Sequence, residues 1–160
     1  MLPCPFCNLV GALILHGYHR GYLDAATAIR GRRIICTSRR SRNKGCGRTF
    51  TIFLSKVLRA CTISAESLGK FLGNVASGIH RIKAFRMVLP ETFVDSSVFR
   101  IYRRFVKAQS AIRSVLNRHS LPPPSSSSAP AIQTIDHLQS IFPSGCAISD
   151  FQNSFQTSFF

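Results

Sequence analysis

The 160-residue chain is poor in acid, with six Asp and Glu at positions 24, 66, 91, 95, 136 and 150 against 21 Lys and Arg. Acids this few and this scattered exclude two-metal phosphoryl chemistry, which needs several convergent carboxylates. A Gly-rich phosphate loop and a serine nucleophile elbow are missing as well, so the chain is expected not to be an enzyme. Long apolar runs are also absent. "LVGALIL" is far short of the roughly 20 residues a membrane span needs, and the N-terminus lacks the basic segment of a secretory signal. A cytoplasmic, nucleoid-associated protein with no membrane partner and no small-molecule substrate is therefore expected. The charge leaves a basic, amphipathic membrane-surface binder as a rival.

What the chain has in excess is positive charge, +15 with a pI near 10.9. All 21 basic residues lie between Arg20 and Arg118. Less four acids, residues 1–118 carry +17, and the remainder carries −2 from Asp136 and Asp150. Such a surface attracts polyanions. Four cysteine thiolates on one Zn²⁺ would change the total by −4 and +2, to +13, without changing its sign.

The pattern divides the chain into four parts. Residues 1–54 hold four of the six cysteines and three β-like runs, "LVGALILHG", "RRIIC" and "TFTIFL", as a small hairpin module. Residues 62–118 are helical. Ser64 is the expected N-cap of a first helix carrying Leu68, Phe71, Leu72 and Val75, and Gly78 breaks it. "IHRIKAFRMVL" follows and ends at Pro90. A third helix, capped by Asp95 or Ser96, runs to about Arg118 with Ile101, Phe105, Ala108, Ile112 and Val115 as its apolar stripe. Residues 121–130, "LPPPSSSSAP", read as a linker, and 131–160 as a short helical tail for docking or packing rather than nucleic-acid contact, with self-association or docking of a protein through Phe151, Phe155, Phe159 and Phe160 as one of its readings.

In the reducing compartment expected here, disulfides are disfavoured and paired cysteines are better explained by metal. Cys4 and Cys7 in "CPFC" have the two-residue spacing that lets both sulfurs face one ion. Cys36 and Cys46 are separated by nine residues, but "GCGRTF" has the glycines of a tight knuckle. Two such knuckles can supply four ligands to a structural Zn²⁺. Plain core thiols and a redox "CPFC" pair are the alternatives, the latter without the βαβ setting it needs. His16 and His19 lack the spacing of zinc-finger histidines and are read as hairpin residues, and Cys61 and Cys146 have no partners at ligand spacing.

Two basic surfaces stand out. The loop between the second pair of cysteines and the residues after it contribute Arg39, Arg40, Arg42, Lys44 and Arg48. The third helix contributes Arg100, Arg103, Arg104 and Lys107 at i, i+3, i+4 and i+7, which share one face. The bland reading of each is a solvated surface. The functional reading is phosphate and base-edge contact by a helix in a major groove.

Taken together, "CPFC", "HGYHR", "CTSRRSRNKGCGRTF" and the later "VFRIYRRF" resemble the N-terminal zinc-ribbon and helix-turn-helix region of bacterial insertion-sequence transposases and related short proteins. The resemblance covers about residues 4–118 and is most specific at "GCGRTF". It implies zinc-ribbon hairpins followed by a three-helix, helix-turn-helix-like bundle, which together with the short helical C-terminal tail read above makes a small α+β fold. It makes Cys4, Cys7, Cys36 and Cys46 the zinc ligands and the Arg-rich helix the reader of double-stranded DNA. The acidic nuclease domain of such transposases has no counterpart here. The expected function is thus non-catalytic, zinc-dependent DNA binding by a transposon-associated regulator or detached DNA-binding region. An RNA-binding or ribosome-associated zinc ribbon and a protein-interaction module are the alternatives.

Overall fold

The computed structural model describes residues 2–37, 45–89, 93–125, 127–143 and 145–160. The chain forms two compact units, one of residues 1–22 and 27–54, the other of 23–26 and 55–160.

The first unit is a three-stranded sheet of β1 (Leu13–Leu23), β2 (Ala26–Cys36) and β3 (Thr49–Phe53), in the order β1-β2-β3. β2 and β3 pair antiparallel, from Gly31 opposite Phe53 to Ile35 opposite Thr49. The first strand begins four residues later than the apolar run "LVGALILHG" suggests and continues through "YHRGYL". Residues 9–12 instead serve the cysteine knuckle, where Pro3 bridges Val10. The buried cluster of this unit is only Cys4, Ala12 and Cys36, with Leu9 and Leu13 packed against it. A sheet this thinly covered requires another source of order.

The second unit is helical: α1 (Ala65–Ala76), α2 (Arg81–Arg86), α3 (Asp95–Leu116), α4 (Pro130–Ile141) and α5 (Ala147–Phe155). Ser64 caps α1 as its sequence position predicts, its Oγ accepting from the Ser67 N–H at 3.0 Å. Asp24 joins this cap. Its carboxylate accepts from the Ser64 N–H and the Ser67 hydroxyl, both at 2.9 Å. α1 ends in a Schellman arrangement: Gly78, at φ +85°, donates to the Val75 carbonyl, and the Ile79 N–H donates to that of Asn74.

The cap of α3 departs from expectation. Val94 occupies the N-cap without a side-chain bond, and Asp95 lies in the first turn, where it accepts from Arg86 at 2.9 Å. Along α3 the buried apolar residues are Val98, Ile101, Phe105, Ile112 and Leu116, with Ser97 buried at its start. Ala108 and Val115 are half-buried beside them.

Residues 131–160 are not a detached tail. α4 packs on α3 and α1, and α5 packs on α1 and α4. Phe159 stacks on Phe105 with ring centroids 6.1 Å apart and planes 5° apart, and Phe151 and Ile148 are fully buried in the same core. Phe151 and Phe159 are thus core residues rather than docking residues, because five helices share one apolar interior that α1–α3 do not fill. Among its described residues, the Pro/Ser stretch before α4 has no regular element. It is nonetheless held, with the Ser125 hydroxyl donating to Asp136 at 2.5 Å and the Gln133 amide donating to the Ser127 carbonyl. Pro130 opens α4 at its first turn, where no N–H is needed.

Candidate metal centre

Each half of the site is a backbone device that the local sequence dictates. In the first knuckle the Cys4 N–H donates to the Leu9 carbonyl and the Asn8 N–H returns to the Cys4 carbonyl. Asn8 sits at φ +57°, and the Phe6 N–H points at the Cys4 sulfur at 3.5 Å. In the second, the Cys36 N–H donates to the Arg48 carbonyl and the Gly47 N–H to the Cys36 carbonyl.

The two glycines around Cys46 have separate reasons. Gly47 is at φ +71°, a conformation that L side chains rarely take. A Cβ on Gly45 would lie 2.7 Å from the Thr37 nitrogen and 2.8 Å from its Cα, so the chain returning to Cys46 can pass the end of β2 only without a side chain. The knuckle is joined to the first through the Thr37 N–H, which donates to the Ala12 carbonyl at 2.8 Å.

The result is one cluster of four sulfurs, all within 4.8 Å of one another. Cys4 Sγ and Cys46 Sγ are 3.8 Å apart, and Cys7 Sγ and Cys36 Sγ are 3.7 Å apart. A disulfide would need about 2.05 Å. A tetrahedron of thiolates at about 2.3 Å from a central zinc has edges of about 3.8 Å. The spacing therefore fits a metal ion, and the alternative of scattered core thiols does not describe it. Cys4 and Cys36 are buried, whereas Cys7 and Cys46 face outward.

Two of the thiols are shifted in opposite directions. At Cys4 burial acts to raise the thiol's pKa, but hydrogen bonds from the Phe6 and Cys7 backbone and from the Cys7 and Cys36 thiols together outweigh it and bring the value to about 7. At Cys36 burial dominates, and the adjacent sulfurs reinforce it, pushing it up to about 12. Four crowded sulfurs cannot all ionise without a positive charge among them.

No family model, no curated protein and no solved structure matches the chain. The chemistry must be argued from its own residues.

All four proposed ligands come together, despite the nine residues between Cys36 and Cys46. Of the basic residues in that region, Arg39, Arg40, Arg42 and Lys44, with the expectation that their loop is exposed and mobile, lie outside the described residues. Arg48 is exposed, with its guanidinium 5.3 Å from the centroid of Phe6. On α3, Arg100, Arg103 and Lys107 are exposed and meet no carboxylate among the described residues.

Arg104 does not join them. It donates to the Ala60 carbonyl at 2.7 Å and the Arg59 carbonyl at 3.2 Å, and lies 5.1 Å over the Phe160 ring. The helical spacing that groups it with Arg100, Arg103 and Lys107 is satisfied, but its neighbours use it to hold the segment before α1. Cys61 is buried in the helical core, and Cys146 is half-buried at the N-cap of α5. The requirement for glycine at position 45 was the feature least readable from sequence. The signal was "GCG" itself, which has two glycines where one turn needs one.

Among the described residues, no helix is long and apolar enough to cross a membrane.

Proposed function

We propose that the chain is a non-catalytic, zinc-dependent DNA-binding protein, in which Cys4, Cys7, Cys36 and Cys46 hold a structural Zn²⁺ and the exposed face of α3 contacts duplex DNA. The observation that carries the DNA reading is uncompensated charge on a regular element. Arg100, Arg103 and Lys107 project from one 22-residue helix and meet no acid among the described residues. Like charges at i+3 and i+4 spacing destabilise a helix, and a phosphate backbone alongside removes that repulsion. Zinc fits better than a catalytic metal because the protein fills all four tetrahedral positions, leaving none for water. When bound, the ion supplies charge neutralisation and a cross-link between the knuckles. The rest of the work is done by side chains that bind and position.

A transposon-associated regulator, or the DNA-binding part of a transposase working without its nuclease, is the biological setting this reading proposes. The test is fluorescence anisotropy of a labelled duplex with the zinc-loaded chain over a range of salt. Three phosphate contacts give a log affinity that falls with log salt at a slope of about −2.7. The Arg100→Ala/Arg103→Ala/Lys107→Ala variant should flatten that slope towards zero. A wild-type affinity indifferent to salt, or a triple variant that binds as tightly as wild type, rejects the reading.

A further inference from the structure

One face of the sheet in the first unit combines aromatic rings and guanidinium groups in a way that its metal site does not require. Arg32 lies opposite Ile52 in the β2/β3 register, and its guanidinium is 4.6 Å over the Tyr18 ring of β1, so side chains from all three strands gather at Arg32. Two residues along on the same face, Ile34 lies opposite Phe50. Phe50 meets Phe6 edge-on at 6.1 Å, with Arg48 over the other ring. Strand alternation places Arg20 beside Tyr18 on this face. Tyr18, Phe6 and Ile52 are each about half exposed, at 48%, 47% and 49%. A sheet needing only solubility would not leave three large apolar side chains on one side in the open.

Charge identifies the occupant. Residues 1–22 and 27–54 contain nine Lys and Arg and no Asp or Glu. A second copy of this unit would bring like charge to the surface, and a membrane would need a deeper apolar face than a sheet studded with Arg20, Arg32 and Arg48. Bases paired in a duplex are covered by their neighbours, whereas unpaired bases present free faces that stack on aromatic rings, with Arg reaching the backbone between them. The arginines of the face meet phosphates, which DNA and RNA share, so the choice of a DNA strand follows from the DNA-binding reading of the chain and is tested by the oligouridine comparison below.

We propose that the face formed by Phe6, Tyr18, Arg20, Arg32, Arg48 and Ile52 binds an unpaired DNA strand, by base stacking on Tyr18 and Phe6 and phosphate contact by the arginines. This rests on reading the chain as a nucleic-acid binder, but it uses a different surface from the α3 duplex contact.

The experiment titrates the full zinc-loaded chain with labelled oligothymidine of about 12 nucleotides, the matching oligouridine and a duplex of the same length. Tyr18→Ala should weaken oligothymidine binding by roughly 5- to 150-fold, the cost of one lost stack, while Tyr18→Phe, which keeps the ring, restores it. Arg32→Ala and Arg48→Ala should each reduce the salt slope by about 0.7. The Arg100→Ala/Arg103→Ala/Lys107→Ala variant should still bind oligothymidine, and if it also keeps full duplex binding, that result counts against α3 alone and leaves this face standing.

A zinc-replete Tyr18→Ala protein that binds oligothymidine like wild type overturns the proposal. So does oligouridine bound more tightly than oligothymidine. If Tyr18→Ala loses its metal, photo-crosslinking of the wild-type chain to bromodeoxyuridine-substituted oligothymidine decides. Adducts on the peptides holding Phe6 or Tyr18 support the face, and adducts confined to α3 overturn it.

Discussion

Removing the metal should unfold one unit and spare the other. In the first unit the buried cluster is Cys4, Ala12 and Cys36, with Leu9 and Leu13 only partly covered. At about 0.8 kcal/mol per buried methylene, these side chains contribute about 3–5 kcal/mol. A structural zinc in a small site contributes about 10–16 kcal/mol near neutral pH. Two of the three buried residues are themselves ligands, so the metal and the core are lost together. Cys36→Ser puts a group that does not ionise at one of the two fully buried ligand positions. The expected result is a fall from one zinc per chain to none in the presence of a mild chelator, with collapse of the amide dispersion of residues 9–36 and 45–54. The helical unit has its own core, including Phe71, Phe85, Phe105 and Phe151, so the circular dichroism at 222 nm should remain. Cys61→Ser, a substitution within the helical core, serves as the control and should keep its zinc. A Cys36→Ser protein holding one zinc equivalent, or a metal-free wild type with native sheet amides, refutes the argument.

Three other outcomes follow from the helical unit. Asp24→Ala removes two hydrogen bonds to a carboxylate at the start of α1 and should cost about 2–4 kcal/mol, read as a lower urea midpoint for the helical signal, with Asp24→Asn losing less. Phe159→Ala removes a fully buried ring stacked on Phe105 and should cost about 3–5 kcal/mol; a loss under about 1 kcal/mol in urea denaturation would return the C-terminal residues to the status of a tail. His137 is buried and its pKa is lowered, chiefly by burial, with the contact to Ser120 acting weakly the other way. The unfolded chain therefore binds this proton more readily, so helical stability should be greatest above pH 6.5, His137's ordinary value, and fall as pH drops through the lowered one. His137→Gln should reduce that decline when urea midpoints at pH 7.5 and 5.5 are compared.

The elements that sequence reasoning could reach were those with a local cause. Ser64, followed by an apolar residue four positions on, marks the start of α1 because the cap and the stripe lie within one turn. The first cysteine pair was legible for the same reason. The second was legible only through its glycines, because the closure from Cys36 to Cys46 depends on Gly45 passing the Thr37 backbone, a contact with no periodic signature. Whether the C-terminal helices dock or pack was not legible, because their role is non-local. Phe159 is 54 residues from the Phe105 it stacks on, and a Pro/Ser stretch before it gives the same composition whether the chain then departs or returns. Arg104 failed in the opposite direction, since spacing put it on a basic face, while carbonyls more than 40 residues away drew it inward.

Placing the few acids joins these observations. Asp24 caps α1, Glu66 pairs with Lys70 in its first turn, and Asp95 meets Arg86 at the start of α3. Asp136 anchors Ser125, and Asp150 lies in the first turn of α5. Four of these five described carboxylates sit where a helix N-terminus favours negative charge, and all five lie in the helical unit. A chain with so little acid places it where helices start, so the sheet unit and the outer face of α3 are left with uncompensated arginine. A sheet has no comparable dipole to attract a carboxylate. In the first unit the negative charge that balances the arginines would come instead from cysteine thiolates, and only once a metal has displaced their protons. The basic surface and the four-sulfur site are in that sense two consequences of one composition.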